Sequence, residues 1–249
     1  MFLTPAPPRV LAHRGLALDA PENTLLAFER ALAVGATHLE TDVHGSADGV
    51  SIISHDPDLS RLAGRPMRVG QLSVAQLRGI DLGHGQGFCS LADALDAFPA
   101  ARFNIDIKSA DAIAPTVATI RDAGATDRVL VSSFSPARRL AVVRQLPGVA
   151  TSVSARGALA AVSAARTAGA GPAVRRILRD VDAVQLPLSM LRMSTMTPRT
   201  IAAFHAAGVE VHVWTINDEP TMERLLDLGV DGLVTDRADL ALGVLQRRS

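Results

Sequence analysis

The sequence predicts an α/β protein, a (β/α)8 TIM barrel with a small insertion after the second strand. Eight short apolar segments alternate with helical segments over 249 residues, as such a barrel requires. Aromatic residues make up only 3% of the chain, so its core is built from small aliphatic side chains, which suit helices packed on parallel strands. The rival, a doubly wound open sheet, is disfavoured because the chain has no Gly-rich dinucleotide fingerprint and no single switch point.

The first βα unit lies at the start of the chain. Residues 9–12 predict a short buried strand that ends at His13-Arg14-Gly15. The sequence Pro21-Glu22-Asn23-Thr24 signals a helix start at which Asn23 or Thr24 can cap, and Gly35 ends that helix. A second strand follows, so that strand, helix and strand fit into about 35 residues, the length of a βαβ unit.

The second strand, 37–44, carries an unusual row of polar side chains. Because strand side chains alternate between faces, Glu40, Asp42 and His44 project together from one face. Two carboxylates that lie so close repel each other unless a cation lies between them, and a hard ion such as Mg²⁺ or Ca²⁺ meets that need. The alternative is a solvated strand edge with a hairpin behind it.

The segment 44–90 is predicted to be the insertion. A turn at 46–49 leads to a short strand at 50–53, which brings His55-Asp56 back towards the polar row. Loop signals at 56–57 and 64–66 and a short helix at 73–79 follow.

The regular alternation then resumes to the end of the chain, and no linker divides it, so residues 1–249 are predicted to form a single domain. The further strands are predicted at 102–107, 129–132, 149–153, 183–186, 209–214 and 232–235. The helices are predicted at 91–98, 110–123, 136–146, 158–168, 173–179, 198–207, 220–228 and 240–247.

A candidate metal site is expected at the carboxyl ends of the strands, where active sites of this fold lie. Asn104, Asp106 and Lys108 share a face of the third strand, so Asp106 lies beside Glu40 and Asp42. Three converging carboxylates favour one divalent ion, Mg²⁺ or Ca²⁺. The alternative for Asp106 is a salt bridge to Lys108.

Two histidines are candidate proton carriers, because His13 and His55 each follow a strand and reach the same end of the barrel. A structural role remains the alternative for each. Arg14 and Lys108 add positive charge suited to a phosphate group, with ordinary ion pairs as the alternative. His44 faces the metal side and is a candidate support for its ligands.

Composition excludes several classes of function. Lysine plus arginine equals aspartate plus glutamate at 25 each, so no overall basic surplus favours nucleic acid or an anionic membrane. Cys89 is the only cysteine, which excludes an intramolecular disulfide. The N-terminus does not resemble a signal peptide and no apolar run reaches membrane-spanning length, so a cytoplasmic protein without a membrane anchor is expected.

The ordered motifs closely resemble the glycerophosphodiester phosphodiesterase family. The resemblance covers nearly the whole chain and rests on the combination, since each motif alone is weak. The motifs are His13-Arg14-Gly15, Pro21-Glu22-Asn23-Thr24, Glu40-Thr41-Asp42, Asp48-Gly49-Val50, His55-Asp56, Asn104-Ile105-Asp106-Ile107-Lys108, Ser132-Ser133-Phe134, Val213-Trp214-Thr215-Ile216-Asn217 and Gly229-Val230-Asp231-Gly232-Leu233-Val234-Thr235-Asp236.

This resemblance implies a role for each matching residue. The histidines would act as general acid and base, and the carboxylates of Glu40, Asp42 and Asp106 would hold the divalent ion. Arg14 and Lys108 would contact phosphate, Trp214 would form a wall beside the glycerol or the leaving group, and Glu22 would lie near the site. The family often has Glu where Asp106 stands. Asp is shorter by one methylene, so the position of the metal ion, its identity and its affinity can differ from those of other members of the family.

The implied function is metal-dependent hydrolysis of a small glycerophosphodiester to glycerol 3-phosphate and an alcohol. Two alternatives stay open. One is a phospholipase D-like activity on lysophospholipids, which requires an apolar patch at the barrel mouth. The other is a non-catalytic phosphodiester-binding barrel, against which the presence of both histidines and all three carboxylates argues.

Overall fold

The computed structural model describes residues 1–167 and 169–248, and eight parallel strands form its centre. We number these barrel strands β1 to β8. They are β1 (Arg9–His13), β2 (His38–Gly45), β3 (Arg102–Ile107), β4 (Val129–Ser132), β5 (Ala150–Thr151), β6 (Ala183–Leu186), β7 (Glu210–Val213) and β8 (Gly232–Thr235). The predicted barrel is therefore confirmed, with strand bounds that differ from the predicted ones by two residues at most.

The strands pair in a nearly closed ring. Pairing follows the order β5-β4-β3-β2-β1-β8-β7-β6, with every neighbour parallel. A single bridge between Ser152 and Ala183 joins β5 to β6, supported by the Val153 N–H, which donates to the Ala183 carbonyl at 3.0 Å. All eight carboxyl ends consequently face one side, which we call the mouth.

Helices surround the strands, and most begin with a side-chain cap. Thr24 caps the first helix by accepting a hydrogen bond from the Ala27 N–H, as one of the two predicted caps. The longer helices are Leu25–Ala33, Leu91–Ala97, Ile113–Asp122, Pro136–Val143, Ala155–Ala165, Gly171–Leu178, Pro198–His205, Glu219–Asp227 and Ala238–Arg248. The predicted helix at 158–168 begins three residues earlier, and the end predicted for it, Ala168, lies outside the described residues.

The insertion between β2 and the helix Leu91–Ala97 is a small packed unit. Its first strand, Ser51–Ile53, pairs antiparallel with the end of β2, as the turn at 46–49 predicts. The segment predicted only as loop contains a ribbon of Asp58–Leu59 and Arg65–Arg68 around the helix Ser60–Ala63. Further along lie the 3-10 turn Val69–Gln71 and the helix Val74–Arg78. A separate apolar cluster holds this unit together: Ile52, Leu59, Val69, Leu72, Leu77, Ile80 and Phe88.

A second short hairpin was not apparent from the sequence. Ser189–Met190 pairs antiparallel with Met193–Ser194 just after β6, and the turn Thr126–Arg128 precedes β4. Leu191 and Arg192 form the tip of the hairpin with positive φ angles of 48° and 65°, which side chains other than glycine seldom adopt. Among the described residues, none of the helices is both long and apolar enough to cross a membrane.

Candidate active site

The turn after β1 places two predicted site residues at the mouth. His13 is the last residue of β1 and lies in register with Glu40 on β2. Arg14 has a positive φ of 57°, and Gly15 follows at 86°. A Cβ at Gly15 would lie 2.6 Å from the carbonyl carbon of Ala27, so only glycine lets the turn pack on the first helix.

The strand register brings the three predicted carboxylates together. Asp42 on β2 is directly opposite Asp106 on β3, and Glu40 is opposite Asn104, one layer deeper. All four side chains are buried. Carboxylates gathered in a poorly solvated place repel each other and need compensating charge.

Lys108 supplies that charge to two of them. Its Nζ lies 2.9 Å from Asp42 Oδ1 and 2.7 Å from Asp106 Oδ2, so the alternative ion pair considered for Asp106 is present. Burial alone would raise the pKa of Asp42, but Lys108 outweighs it and the pKa is lowered. At Asp106 burial prevails and the pKa is raised.

Glu40 lies outside this ion pair. Burial and the charge of Asp42 raise the pKa of Glu40 well above its ordinary value. His13 Nε2 lies 3.9 Å from Glu40 Oε2. Burial alone would lower the pKa of His13. The charge of Glu40 and a hydrogen bond to Asp236 together outweigh burial, so the pKa of His13 is raised. The two carboxyl groups of β2 therefore differ, because burial opposes the charge of Glu40 whereas Lys108 favours the charge of Asp42.

The donor set suits a hard divalent cation, but its arrangement leaves no ready cage. Two buried oxygens, Asp106 Oδ1 and Asn104 Oδ1, have no hydrogen-bond partner, and carboxylate and amide oxygens are the ligands that Mg²⁺ and Ca²⁺ prefer. Within residues 1–167 and 169–248, no group of three or more His, Cys, Asp or Glu side chains is placed to hold an ion. The physical reason is visible at Lys108, whose ammonium group lies between Asp42 and Asp106.

Each histidine is bound to its own carboxylate. His13 Nδ1 donates to Asp236 Oδ1 at 2.6 Å, and Asn217 Nδ2 donates to the other oxygen of Asp236 at 2.7 Å. The Asp236 N–H in turn donates to Asn217 Oδ1 at 2.9 Å. This pairing fixes the ring of His13 and leaves its Nε2 directed to the pocket side, as in the histidine–carboxylate pairs of other acid–base sites.

His55 is held through a chain of charges that crosses from the insertion to the barrel. His55 Nδ1 donates to Asp56 Oδ1 at 2.8 Å, and Arg61 donates to Asp56 Oδ2 at 2.6 Å. Arg61 also donates twice to Glu22, at 2.6 and 3.0 Å, and Glu22 accepts from Arg14 at 2.9 Å. Glu22 therefore links Arg61 of the insertion to Arg14 at the pocket.

Two further buried groups support this arrangement. His44 Nε2 donates to the main-chain carbonyl of His55 at 3.2 Å, so it supports the loop that carries His55 rather than a predicted metal ligand. Asn23, at a positive φ of 57°, donates to Asp42 Oδ2 at 3.2 Å and accepts from Thr41 Oγ1 at 2.8 Å. Asparagine tolerates this left-handed conformation better than most residues.

One pocket of about 370 Å³, a size typical of small-ligand sites, opens at the mouth. Trp214 contacts Phe134 edge to face across it, with ring centroids 6.0 Å apart. The predicted site residues that line this pocket are His13, Arg14, Glu40, Asp42, His55, Asp106, Lys108 and Trp214.

Two predicted residues, Glu22 and His44, lie behind the pocket wall instead. Sequence reasoning did not assign Asp236 and Asn217, although both follow barrel strands, where polar residues collect. The role of Arg61 had no sequence signal, because its contacts depend on how the insertion folds.

The glycerophosphoryl diester phosphodiesterase family model matches residues 13–240. The chain is 42% identical to a Mycobacterium tuberculosis protein named "Probable glycerophosphodiester phosphodiesterase 2" over 96% of this chain and 90% of that protein. The structure of a glycerophosphodiester phosphodiesterase from Agrobacterium tumefaciens is similar, with a TM-score of 0.79 and 26% identity over 96% of this chain and 99% of that one. An Oleispira antarctica phosphodiesterase, solved with the product sn-glycerol-3-phosphate, has a TM-score of 0.80 at 25% identity over 96% and 97%.

Proposed function

This chain belongs to the glycerophosphoryl diester phosphodiesterase family, and from that premise we propose that it hydrolyses a glycerophosphodiester to glycerol 3-phosphate and an alcohol. The observation that carries the proposal is the convergence of two carboxylate-bound histidines, His13 and His55, on a pocket that also holds Arg14 and Lys108. Phosphodiester hydrolysis needs one proton acceptor, one proton donor and positive charge around the phosphoryl oxygens.

In the proposed mechanism one histidine removes a proton from the attacking oxygen and the other donates a proton to the leaving alcohol. Each ring presents Nε2 to the pocket because its Nδ1 is bound to a carboxylate, Asp236 for His13 and Asp56 for His55. A new P–O bond forms, the P–O bond to the alcohol breaks, and the departing oxygen takes the proton. Both water and a hydroxyl group of the substrate's glycerol are competent attackers.

Arg14 and Lys108 are proposed to hold the phosphate. Arg14 has a buried Nε that makes no hydrogen bond and lies 3.4 Å from Asp42 Oδ2 in an ion pair, so a phosphoryl oxygen would satisfy it. Lys108 is bound between Asp42 and Asp106 and becomes available to phosphate when another cation neutralises those carboxylates.

We further propose that Glu40, Asp42 and Asp106 bind one divalent cation, Mg²⁺ or Ca²⁺. The Asp106 Oδ1 that lacks a hydrogen-bond partner and the position of Glu40 beside Asp42, outside the Lys108 ion pair, support this, and binding requires Lys108 to leave its place between the two aspartates. When bound, such an ion stabilises negative charge that develops on phosphoryl oxygens.

The test measures release of glycerol 3-phosphate from glycerophosphocholine and glycerophosphoethanolamine with Mg²⁺, with Ca²⁺ and with chelator. Release that requires the added ion supports both proposals, whereas release in chelator would contradict the metal proposal alone. His13→Ala and His55→Ala should each lower kcat by roughly 10²- to 10⁴-fold, the contribution of general acid–base catalysis.

The matched control is His205→Ala. His205 is an exposed histidine whose Nε2 donates to Asp231 at 2.7 Å, and it does not line the pocket. It should retain wild-type turnover. Near-normal rates in either pocket variant would overturn the catalytic assignment, and binding of glycerophosphocholine without turnover would favour the non-catalytic barrel. The cytoplasmic location of the protein stays a prediction.

A further inference from the structure

A largely buried row of polar side chains crosses the inside of the barrel and ends at the pocket. It starts at Arg9 on β1, continues through Glu210 and His212 on β7, and reaches Gln185 on β6, which lines the pocket. Arg9 and His212 are almost completely buried. Burial of such groups costs free energy unless each of them has a hydrogen-bond partner. No step of the proposed hydrolysis uses these four side chains, although their burial is costly.

Strand alternation and register place Gln185 and His212 together. Both neighbours of His212 on β7 and both neighbours of Gln185 on β6 pack in the large apolar core between the strands and the helices. Because strand side chains alternate between faces, Gln185 and His212 themselves point into the barrel. They are also direct partners in the parallel register of β6 and β7. The state of His212 therefore bears on how Gln185 faces the pocket.

Arg9 and His212 hold Glu210 as a charged carboxylate. Arg9 Nε donates to Glu210 Oε2 at 2.8 Å, and Arg9 Nη2 donates to Glu210 Oε1 at 2.5 Å. Arg9 also donates to the main-chain carbonyls of Pro5 and Leu3, at 2.6 and 3.0 Å. Burial opposes the charge of Glu210, but hydrogen bonds from His212 and Arg9 outweigh it and lower the pKa of Glu210 to about 2. Near neutral pH Glu210 therefore only accepts hydrogen bonds.

The charged Glu210 determines which ring nitrogen of His212 is the donor. Glu210 Oε2 lies 3.0 Å from His212 Nε2, so Nε2 donates. Histidine is mostly neutral above pH 7, and a neutral ring that donates through Nε2 accepts through Nδ1. Gly232 on β8 makes room for this ring, because a Cβ there would lie 2.7 Å from His212 Cδ2. The ring of His212 thus has a fixed place and presents an acceptor towards Gln185.

His212 in turn orients the side-chain amide of Gln185. Gln185 Nε2 lies 3.3 Å from His212 Nδ1, and an acceptor at Nδ1 requires the NH2 end of the amide on that side. Within residues 1–167 and 169–248, no group donates to Gln185 Oε1, and this oxygen is not one of the buried polar atoms that lack a partner. Gln185 Oε1 is therefore an acceptor that is open to the pocket and fixed from behind.

This acceptor lies across the mouth from the proposed ion site. β6 is four strands from β2 in either direction round the ring, so Gln185 lies opposite Glu40 and Asp42. Besides Gln185, the polar residues that line the pocket side formed by β4 to β7 are Ser132, Ser133, Ser152 and Thr215. None of the charged residues that line the pocket lies on this side. An ammonium group would lose its water here without meeting a carboxylate, whereas a hydroxyl group is satisfied by a neutral acceptor.

We propose that Gln185 determines specificity by accepting a hydrogen bond from a hydroxyl group of the phosphodiester, and that His212 is a positioning residue that acts through Gln185. The inference deepens the proposed function and rests on it. The hydroxyl group belongs either to the glycerol or to the head-group alcohol. A site that binds a substrate hydroxyl discriminates against the analogue that lacks it. Because water can replace the hydroxyl at Gln185 Oε1, we expect about a three- to tenfold difference in kcat/KM, the effect of one neutral hydrogen bond.

Two matched pairs of substrates, used above pH 7, test the proposal and separate the two sources. The first pair is glycerophosphocholine and propane-1,2-diol phosphocholine, which lacks only the terminal hydroxyl of the glycerol; release of choline is measured. The second pair is glycerophosphoethylene glycol and glycerophosphoethanol, which differ only in the hydroxyl of the head group; release of glycerol 3-phosphate is measured. We expect the hydroxyl compound to have the higher kcat/KM in one pair, which identifies the source. Equal values within both pairs would overturn the proposal.

Gln185→Met assigns the preference to this side chain. Methionine keeps the length of glutamine but has no amide oxygen, so the ratio of kcat/KM within the discriminating pair should fall to about one. The matched control, Gln145→Met, changes an exposed glutamine that donates to the Ala141 carbonyl at 2.8 Å and does not line the pocket. It should keep the wild-type ratio. A preference that survives in Gln185→Met would overturn the assignment.

His212→Phe tests the positioning role. Phenylalanine fills the place of the ring but gives Gln185 no acceptor, so the amide can turn and the ratio should fall towards one. Gln185→Met should then lower the ratio no further in the double variant, because both changes act through the same hydrogen bond. His212→Asn, which is smaller and can offer Gln185 either oxygen or nitrogen, serves as a second variant and should give an intermediate ratio. Weaker stability in urea with an unchanged ratio would show a structural role alone and overturn the positioning role.

A second readout separates this inference from the proposed hydrolysis. Trp214 is the only tryptophan of the chain and lines the pocket, so its fluorescence reports binding of the same four compounds. Without any turnover, tighter binding of the hydroxyl compound that Gln185→Met abolishes would support the subsite and contradict the hydrolysis. Turnover of all four compounds with equal kcat/KM within each pair would overturn the inference and leave the proposed function intact.

Discussion

Replacing Asp236 with asparagine tests whether the proposed proton transfer depends on the carboxylate that binds His13. The variant keeps the shape of the side chain but removes its charge. In the wild type, Asp236 accepts from His13 Nδ1 at 2.6 Å and is itself fixed by Asn217. The amide of an asparagine can present either oxygen or nitrogen to the ring, so the orientation of Nε2 is no longer determined.

The size of the effect follows from the hydrogen bond that is lost. A hydrogen bond to a charged group contributes about 1.5–3 kcal/mol, and 1.36 kcal/mol corresponds to a factor of ten in rate. Half of the Asp236 side chain is exposed, so solvent screening favours the lower end of that range. We therefore expect Asp236→Asn to lower kcat about 10- to 100-fold, with little change in KM because Asp236 does not line the pocket.

Steady-state kinetics with glycerophosphocholine over pH 5 to 9 measure both parameters. The hydrogen bond to Asp236 helps to raise the pKa of His13, so the limb of the kcat profile that reports this histidine should move to lower pH in the variant. Asp180→Asn, which removes an exposed carboxylate paired with Arg179, is the matched control. A kcat within twofold of wild type, or a loss confined to KM, would refute the positioning role.

Three further predictions concern stability and the insertion. Burial lowers the pKa of His38 from 6.5 to about 4, so between these two values the unfolded chain binds a proton that the folded chain does not. The free energy of unfolding should therefore fall by up to about 3 kcal/mol as the pH drops from 6.5 to 4. Urea titrations should show a weaker decline in the His38→Asn variant. Gly15→Ala should cost about 2 kcal/mol or more, measured by urea unfolding, because its Cβ would meet the backbone of Ala27 at 2.6 Å. Arg61→Ala should lower kcat roughly tenfold, because it removes the contacts to Glu22 and Asp56 that hold His55 in place. These contacts are exposed, so the melting temperature should stay within a few degrees of the wild-type value. An unchanged kcat would contradict the link to His55.

The barrel could be predicted from the sequence because each strand and helix has a local signal. Apolar runs of four to six residues, caps such as Thr24 and terminating glycines are properties of short segments, so the βα alternation is readable without tertiary information. The hairpin at Ser189–Met190 and Met193–Ser194 was missed because two-residue strands leave too short a pattern. The strand predicted at 149–153 is observed as Ala150–Thr151 for the same reason, since a two-residue strand leaves too short a pattern to set its ends.

The sequence indicated which residues line the candidate site, but it did not indicate all of the hydrogen bonds and ion pairs between them. The alternation along β2 and β3 indicates which side chains meet, and the eight predicted lining residues do meet in one pocket. The ion pair between Lys108 and Asp106 was one of the alternatives that the sequence left open, whereas its second contact, with Asp42, depends on distances across strands. Likewise, the partner of His13 is Asp236, 223 residues further along the chain.

His13 and His55 are held in place by different parts of the structure. His13 ends β1 and Asp236 directly follows the adjacent strand β8, so the barrel itself positions the first pair. His55 and Asp56 belong to the insertion, which has its own small apolar cluster.

The charged contacts of Arg61 tie this second pair to Glu22 and thereby to Arg14. Arg61 is 48% exposed, so these ion pairs are individually weak and screened by salt. His44 and the strand Ser51–Ile53 hold the main chain of His55, but its ring is oriented through these weak ion pairs, so high salt should weaken the proposed proton transfer by His55 before it affects the fold.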